Sequence, residues 1–111
     1  MDDCIFCKII KKELPSKTVF ESEDIIAFYD INPASDIHIL ITPKEHISSM
    51  GEIDESKGGL LVKMYKVAQK LVIDNNLQDN LYRVLVNGGK AQLVPHLHFP
   101  FWQSLPNLIP S

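Results

Sequence analysis

The sequence predicts a single antiparallel α+β domain, and three observations lead there. Short runs rich in β-branched and aromatic residues recur at 18–21, 25–29, 37–42, 81–86 and 94–101. One long amphipathic stretch lies between the third and fourth of them, and no regular strand–helix alternation, as a parallel sheet would need, is present. The chain has 111 residues, enough to bury a core without disulfide support, and shows neither an internal repeat nor a linker, so 1–111 reads as one domain.

Each element follows from its pattern. Residues 4–13 place Ile5, Phe6, Ile9 and Ile10 at helical spacing and stop at Leu14-Pro15, which predicts a short N-terminal helix. Segments 18–21 and 25–29 are strands joined across Ser22-Glu23-Asp24, and 30–36 is a turn-rich loop. A third strand, 37–42, ends at Pro43. Asp54 is the expected N-cap of a helix of about twenty residues, with Leu60, Leu61, Met64, Val67, Leu71 and Val72 on one stripe. Gly58-Gly59 weakens its first turns. The fourth strand is 81–86, Asn87-Gly88-Gly89-Lys90 is a turn, and the fifth strand is 94–101.

Composition narrows the function classes. A chain 45% hydrophobic and 23% charged is ordinary for a soluble globular protein. Its net charge of −3 argues against a nucleic-acid backbone or an anionic membrane as partner. The acidic start Met1-Asp2-Asp3 has no signal-peptide character and no apolar run is long enough to span a bilayer, so a cytoplasmic location is expected. In a reducing compartment, Cys4-x-x-Cys7 reads as a metal half-site or a redox pair rather than a structural disulfide.

The chemistry concentrates in Val94-Pro95-His96-Leu97-His98-Phe99-Pro100. On a strand, His96 and His98 would share one face, with Leu97 and Phe99 on the other. A neutral imidazole serves as nucleophile, base or metal ligand. For His98 the alternatives are nucleophile or base, and core histidine satisfied by a backbone carbonyl. Cys4 and Cys7 are two zinc ligands at the usual spacing or two small buried thiols; His46 and His96 are candidates to complete a set, though spacing alone does not force it. His38 fits a supporting role. Asp30 caps a turn or accepts hydrogen bonds from a ribose, and the Asn87-Gly88-Gly89 backbone suits a turn or a phosphate.

Together these segments resemble the histidine triad (HIT) family of nucleotide hydrolases and transferases. The match rests on Cys4-Ile-Phe-Cys-Lys-Ile-Ile, Ala27-Phe-Tyr-Asp-Ile-Asn-Pro, His38-Ile-Leu-Ile-Thr-Pro-Lys-Glu-His46, Arg83-Val-Leu-Val-Asn-Gly-Gly and Gln92-Leu-Val-Pro-His-Leu-His, in that order. The resemblance implies a five-stranded antiparallel sheet with one long helix, paired across that helix into a homodimer. It implies that His98 attacks an α-phosphorus and forms a nucleotidyl-histidine, its tautomer held by a carbonyl near His96. Asp30 then binds the ribose, Ile31 lies against a purine base, and Asn87 and Gln92 stand near the phosphate. Cys4, Cys7, His46 and His96 would hold a structural zinc, a filled tetrahedral set with no open position for catalysis.

Three departures accompany the match. The third motif histidine is Pro100, which offers neither a side-chain donor nor a backbone N–H. Leu93 replaces a small hydroxyl residue, and the segment after Pro100 does not follow the family ending. The expected function is cleavage of a nucleoside monophosphate from phosphoramidate, anhydride or dinucleoside polyphosphate substrates; its rival is a nucleotide-binding protein of weak turnover with a structural zinc. A thiol oxidoreductase is disfavoured because the βαβ pattern is missing.

Overall fold

The computed structural model describes residues 4–31 and 37–103. Its elements are α1 (Ile5–Ile10), β1 (Thr18–Glu21), β2 (Ile25–Tyr29), β3 (His38–Pro43), α2 (Gly58–Asp74), β4 (Tyr82–Val84) and β5 (Phe99–Gln103). The strands form one sheet in the order β1-β2-β3-β5-β4, with every neighbouring pair antiparallel.

The central strands explain why 25–29 and 37–42 read as continuous apolar runs. Side chains alternate between the faces of a strand, and here both faces are covered. Ile25, Ala27, Ile39 and Ile41 pack beneath α2 with Met64, Val67 and Leu71. Ile26, Phe28 and Leu40 point the other way, into a smaller cluster with Cys4, Phe6 and Ile9 of the N-terminal segment. The long helix therefore covers one face and the short helix part of the other.

Several boundaries differ from expectation. The long helix starts at Gly58, not after Asp54. Asp54 instead accepts a hydrogen bond from the Ser56 N–H and caps a single 3₁₀ turn, Glu55–Lys57, that leads into α2. Helix α1 covers only Ile5–Ile10, with Cys4 as its N-cap, and Lys12 leaves the helix in the left-handed region at φ 65°. Strand β3 runs one residue later than expected, and Pro43 is paired with Ile25 rather than being the stop. The fourth strand shortens to Tyr82–Val84.

The largest correction concerns the fifth strand, which begins at Phe99 and not at 94. Pro95 has no N–H for a ladder. The next donors go elsewhere: His96 N–H to the Val94 carbonyl at 2.8 Å, and Leu97 N–H to the Ile47 carbonyl at 2.6 Å. The two histidines thus sit on the bent approach to β5. Their side-chain alternation survives the loss of the strand: Leu97 belongs to the cluster beneath α2, while the Phe6 ring on the opposite face meets both His96 and His98. Asn87 to Lys90 lead into a 3₁₀ turn, Gly89–Ala91, where Gly89 holds φ 57°, a conformation that suits glycine. Most of the expected 30–36 loop and the segment after Gln103 lie outside the described residues.

Candidate functional site

The site has two halves that meet at the His96–His98 segment. The first is a cluster of donors. Cys4 and Cys7 come from the start of α1, His46 from the segment after β3, and His96 from the approach to β5; their ligand atoms all lie within 4.8 Å of one another. Cys4 Sγ is 3.3 Å from His96 Nδ1, Cys7 Sγ is 3.1 Å from His46 Nδ1 and 3.6 Å from His96 Nδ1. In a tetrahedral zinc site with ordinary Zn–S and Zn–N bonds, sulfur and nitrogen ligands stand about 3.6 Å apart. The donor set and its spacing therefore fit a tetrahedral metal ion.

The surroundings fit it too. His96 is fully buried, and its Nε2–H donates to the Pro43 carbonyl at 2.8 Å, leaving Nδ1 as the lone-pair nitrogen that faces the sulfurs. A backbone carbonyl that accepts from the far ring nitrogen is the usual partner of a ligating histidine. Burial pushes the His96 imidazole below its ordinary range, against the pull of the Pro43 hydrogen bond, and so favours the neutral ligand form. Without a cation, burial and then the Cys4 side chain push the Cys7 thiol up to about 11. A bound divalent ion reverses that preference, because it takes the thiolate.

The second half is a groove of about 370 Å³ on the α1 side of the sheet. Asp30, Ile31, Asn87 and His98 line it, and Pro100 lines it where the sequence motif would place a third histidine. His98 donates its Nδ1–H to the His96 carbonyl at 2.8 Å. A carbonyl can only accept, so the proton is on Nδ1 and the Nε2 lone pair is available. Burial lowers the His98 pKa, outweighing the opposing pull of the His96 carbonyl and of Asp30. This imidazole is neutral at physiological pH, which is the nucleophilic form.

The groove contains residues that sequence reasoning did not assign to it. Trp102 stacks on His38 with centroids 5.3 Å apart, and His38 Nε2 lies 3.6 Å from an Asp30 oxygen. Spacing supplied a signal for Trp102, since His98, Pro100 and Trp102 alternate on one side of the approach and strand; Phe6 carried none beyond its apolar character. Gln92 lies apart from the groove lining. Its amide N–H₂ donates to the Ser48 and Val94 carbonyls, at 2.6 and 3.0 Å, and braces the approach to His96. Leu93 is 92% exposed at the groove rim.

Comparison with known proteins agrees with this architecture. The family model described as "Scavenger mRNA decapping enzyme C-term binding" matches residues 3–104. Protein HitA of Neisseria gonorrhoeae is 41% identical over 100 residues, covering 88% of this chain and 92% of its own. A HIT family hydrolase from Clostridium thermocellum superposes with a TM-score of 0.91 at 42% identity, covering 99% of this chain and 97% of its own. One from Legionella pneumophila superposes with a TM-score of 0.91 at 34% identity, covering 97% and 98%. With the order of motifs, the sheet and the relatives in agreement, the chain belongs to the histidine triad family.

Proposed function

We propose that this protein is a nucleotidyl hydrolase or transferase that releases a nucleoside monophosphate from phosphoramidate, anhydride or dinucleoside polyphosphate substrates through His98. The observation that carries the reading is the His98 tautomer: an imidazole that lines the groove with its Nδ1–H fixed on the His96 carbonyl, so that the lone pair is left on Nε2. The hydrolase neighbours and the family membership support the reaction class.

In this mechanism the Nε2 lone pair forms a bond to the α-phosphorus. The bond from phosphorus to the leaving nitrogen or oxygen breaks, and the leaving group takes a proton from solvent water in the open groove. Water or another acceptor then displaces His98, releasing the monophosphate and restoring the imidazole. Asp30 accepts from the ribose hydroxyls, Ile31 covers a purine base, and Asn87 donates to the phosphate. Gln92 supports the phosphate site indirectly, through the approach to His96 that its bonds to the Ser48 and Val94 carbonyls brace. Cys4, Cys7, His46 and His96 would hold zinc, which would stabilise the fold and take no part in the reaction.

Pro100 favours a second reading, a nucleotide-binding protein of slow turnover. Its ring faces the groove where a donor would contact the phosphate or leaving group, and loss of one such donor costs about 10²–10³ in rate. The reading also includes a homodimer in a cytoplasmic setting. Tyr65 and Ile73 of α2 are exposed and share a groove with Tyr82 and Val84 of the edge strand β4, an apolar surface of the kind that a second copy covers. Turnover of an adenosine phosphoramidate by wild type and by His98→Ala, alongside AMP affinity for each, tests the assignment. Loss of turnover with retained affinity supports it; equal rates for the two proteins overturn it.

A further inference from the structure

We propose that the Cys4/Cys7/His46/His96 cluster positions the His98 imidazole, through the Phe6 ring on one side and the His96 carbonyl on the other. The inference rests on the reading of His98 as the reacting group, and it gives the cluster a role beyond stability.

The first arm runs through α1. Phe6 sits between the two cysteines and is 4% exposed. Its ring meets His98 edge to face, with centroids 4.9 Å apart and planes at 90°. The same ring meets His96 at 5.9 Å, and Phe28 closes on it at 5.4 Å, so Phe6 has little room to turn away. Helix α1 has only 6 residues, far too few to hold itself. Its first turn is fixed by Cys4, whose Sγ accepts from the Cys7 N–H at 3.3 Å, and by the contacts of both sulfurs with the His46 and His96 rings. Whatever fixes the sulfurs fixes Phe6.

The second arm is His96 itself. Its ring is held between the Pro43 carbonyl and the two sulfurs, and its own backbone carbonyl takes the His98 Nδ1–H. A turn of the ring that carries the peptide with it would release that proton and let the other tautomer form. In the other tautomer Nε2 is protonated and cannot attack. Phe6 is thus a positioning residue for His98, and the donor cluster anchors both arms.

The test reads the ring directly. Long-range proton–nitrogen spectra of labelled protein loaded with zinc should show His98 in one tautomer, with its two ring nitrogens widely separated in shift. Zinc-loaded Phe6→Leu, which keeps an apolar side chain at the site, should show the two shifts drawn together at unchanged zinc content. Its kcat on an adenosine phosphoramidate should fall by about 10²-fold, the scale of a misplaced reacting group. Chelator-stripped wild type that remains folded should show the same convergence. Wild-type ring shifts in loaded Phe6→Leu would overturn the proposal, and that variant decides the matter if the stripped chain unfolds. If wild type binds AMP without turning over substrate while the ring shifts respond as described, the enzyme reading fails and the coupling stands.

Discussion

The donor cluster and the groove lie side by side, joined by His96, yet they differ in how much of their chemistry this chain holds. The cluster is complete: four ligand-type side chains converge, and His96 has a carbonyl behind it. The groove has its neutral imidazole and an acidic residue, but proline stands at the position of the third histidine. A buried donor cluster loses its purpose with any one ligand, since the remaining thiols and imidazoles are left buried and poorly paired. A groove open to solvent loses a rate factor with one donor and keeps its shape. The two halves therefore predict different responses to single changes.

The largest effect is expected at His98. His98→Ala removes the proposed nucleophile, and steady-state turnover of an adenosine phosphoramidate should fall by about 10⁴-fold or more while calorimetric AMP affinity is retained. A fall of that size in affinity instead would move His98 from the chemistry to binding.

The cluster should answer in stability. At zinc a hundred to a thousand times above its dissociation constant, binding to the folded state alone contributes about 3–4 kcal/mol. Chelation, or His96→Ala, should then lower the melting temperature by roughly 10 °C or more, and elemental analysis of wild type should give close to one zinc per chain. Unchanged melting in a metal-free sample would return Cys4 and Cys7 to the plain role of core thiols.

The next effect belongs to the groove alone. Pro100→His restores the side-chain donor and should raise kcat by about 10²-fold, or about 2.7 kcal/mol in the barrier. Zinc content should not move. Because Pro100 pairs with Leu40 and its carbonyl accepts from the Leu85 N–H, the backbone there is already strand-like and admits histidine. No gain in rate would show that the groove's weakness lies elsewhere.

The smallest effect concerns assembly. A charge at the edge strand, Val84→Lys, should weaken a homodimer by about 1–2 kcal/mol and shift its dissociation by roughly tenfold in sedimentation. A single-chain mass for wild type across micromolar concentrations would contradict the dimer.

Much of this was legible in the residues. The β-branched and aromatic runs at 25–29 and 37–42 gave the central strands, and the stripe from Leu60 to Val72 gave the helix core. Spacing left the metal-donor set open, and the resemblance to the family completed it as Cys4, Cys7, His46 and His96. What failed was the local environment of His96 and His98. An alternating apolar run looks like a strand, but Pro95 and the long-range hydrogen bond from Leu97 to Ile47 decide the backbone there, and no local pattern reports a partner fifty residues away. Asp54 misled for a related reason: an N-cap residue caps a 3₁₀ turn as well as an α-helix, and here that turn, Glu55–Lys57, precedes the helix that begins at Gly58. The Phe6 contact with His98 was invisible because an aromatic ring at helical spacing reads as core, which it also is.

Intact mass after brief incubation with an adenosine phosphoramidate shows whether His98 is the nucleophile. The reaction should be quenched in alkaline denaturant, because the nitrogen–phosphorus bond of histidine hydrolyses in acid. Wild-type chain should be heavier by one adenylyl group, with fragmentation placing it on His98, and His98→Ala should show no such species. Turnover with the adduct on another residue, or an equal adduct in His98→Ala, would contradict it.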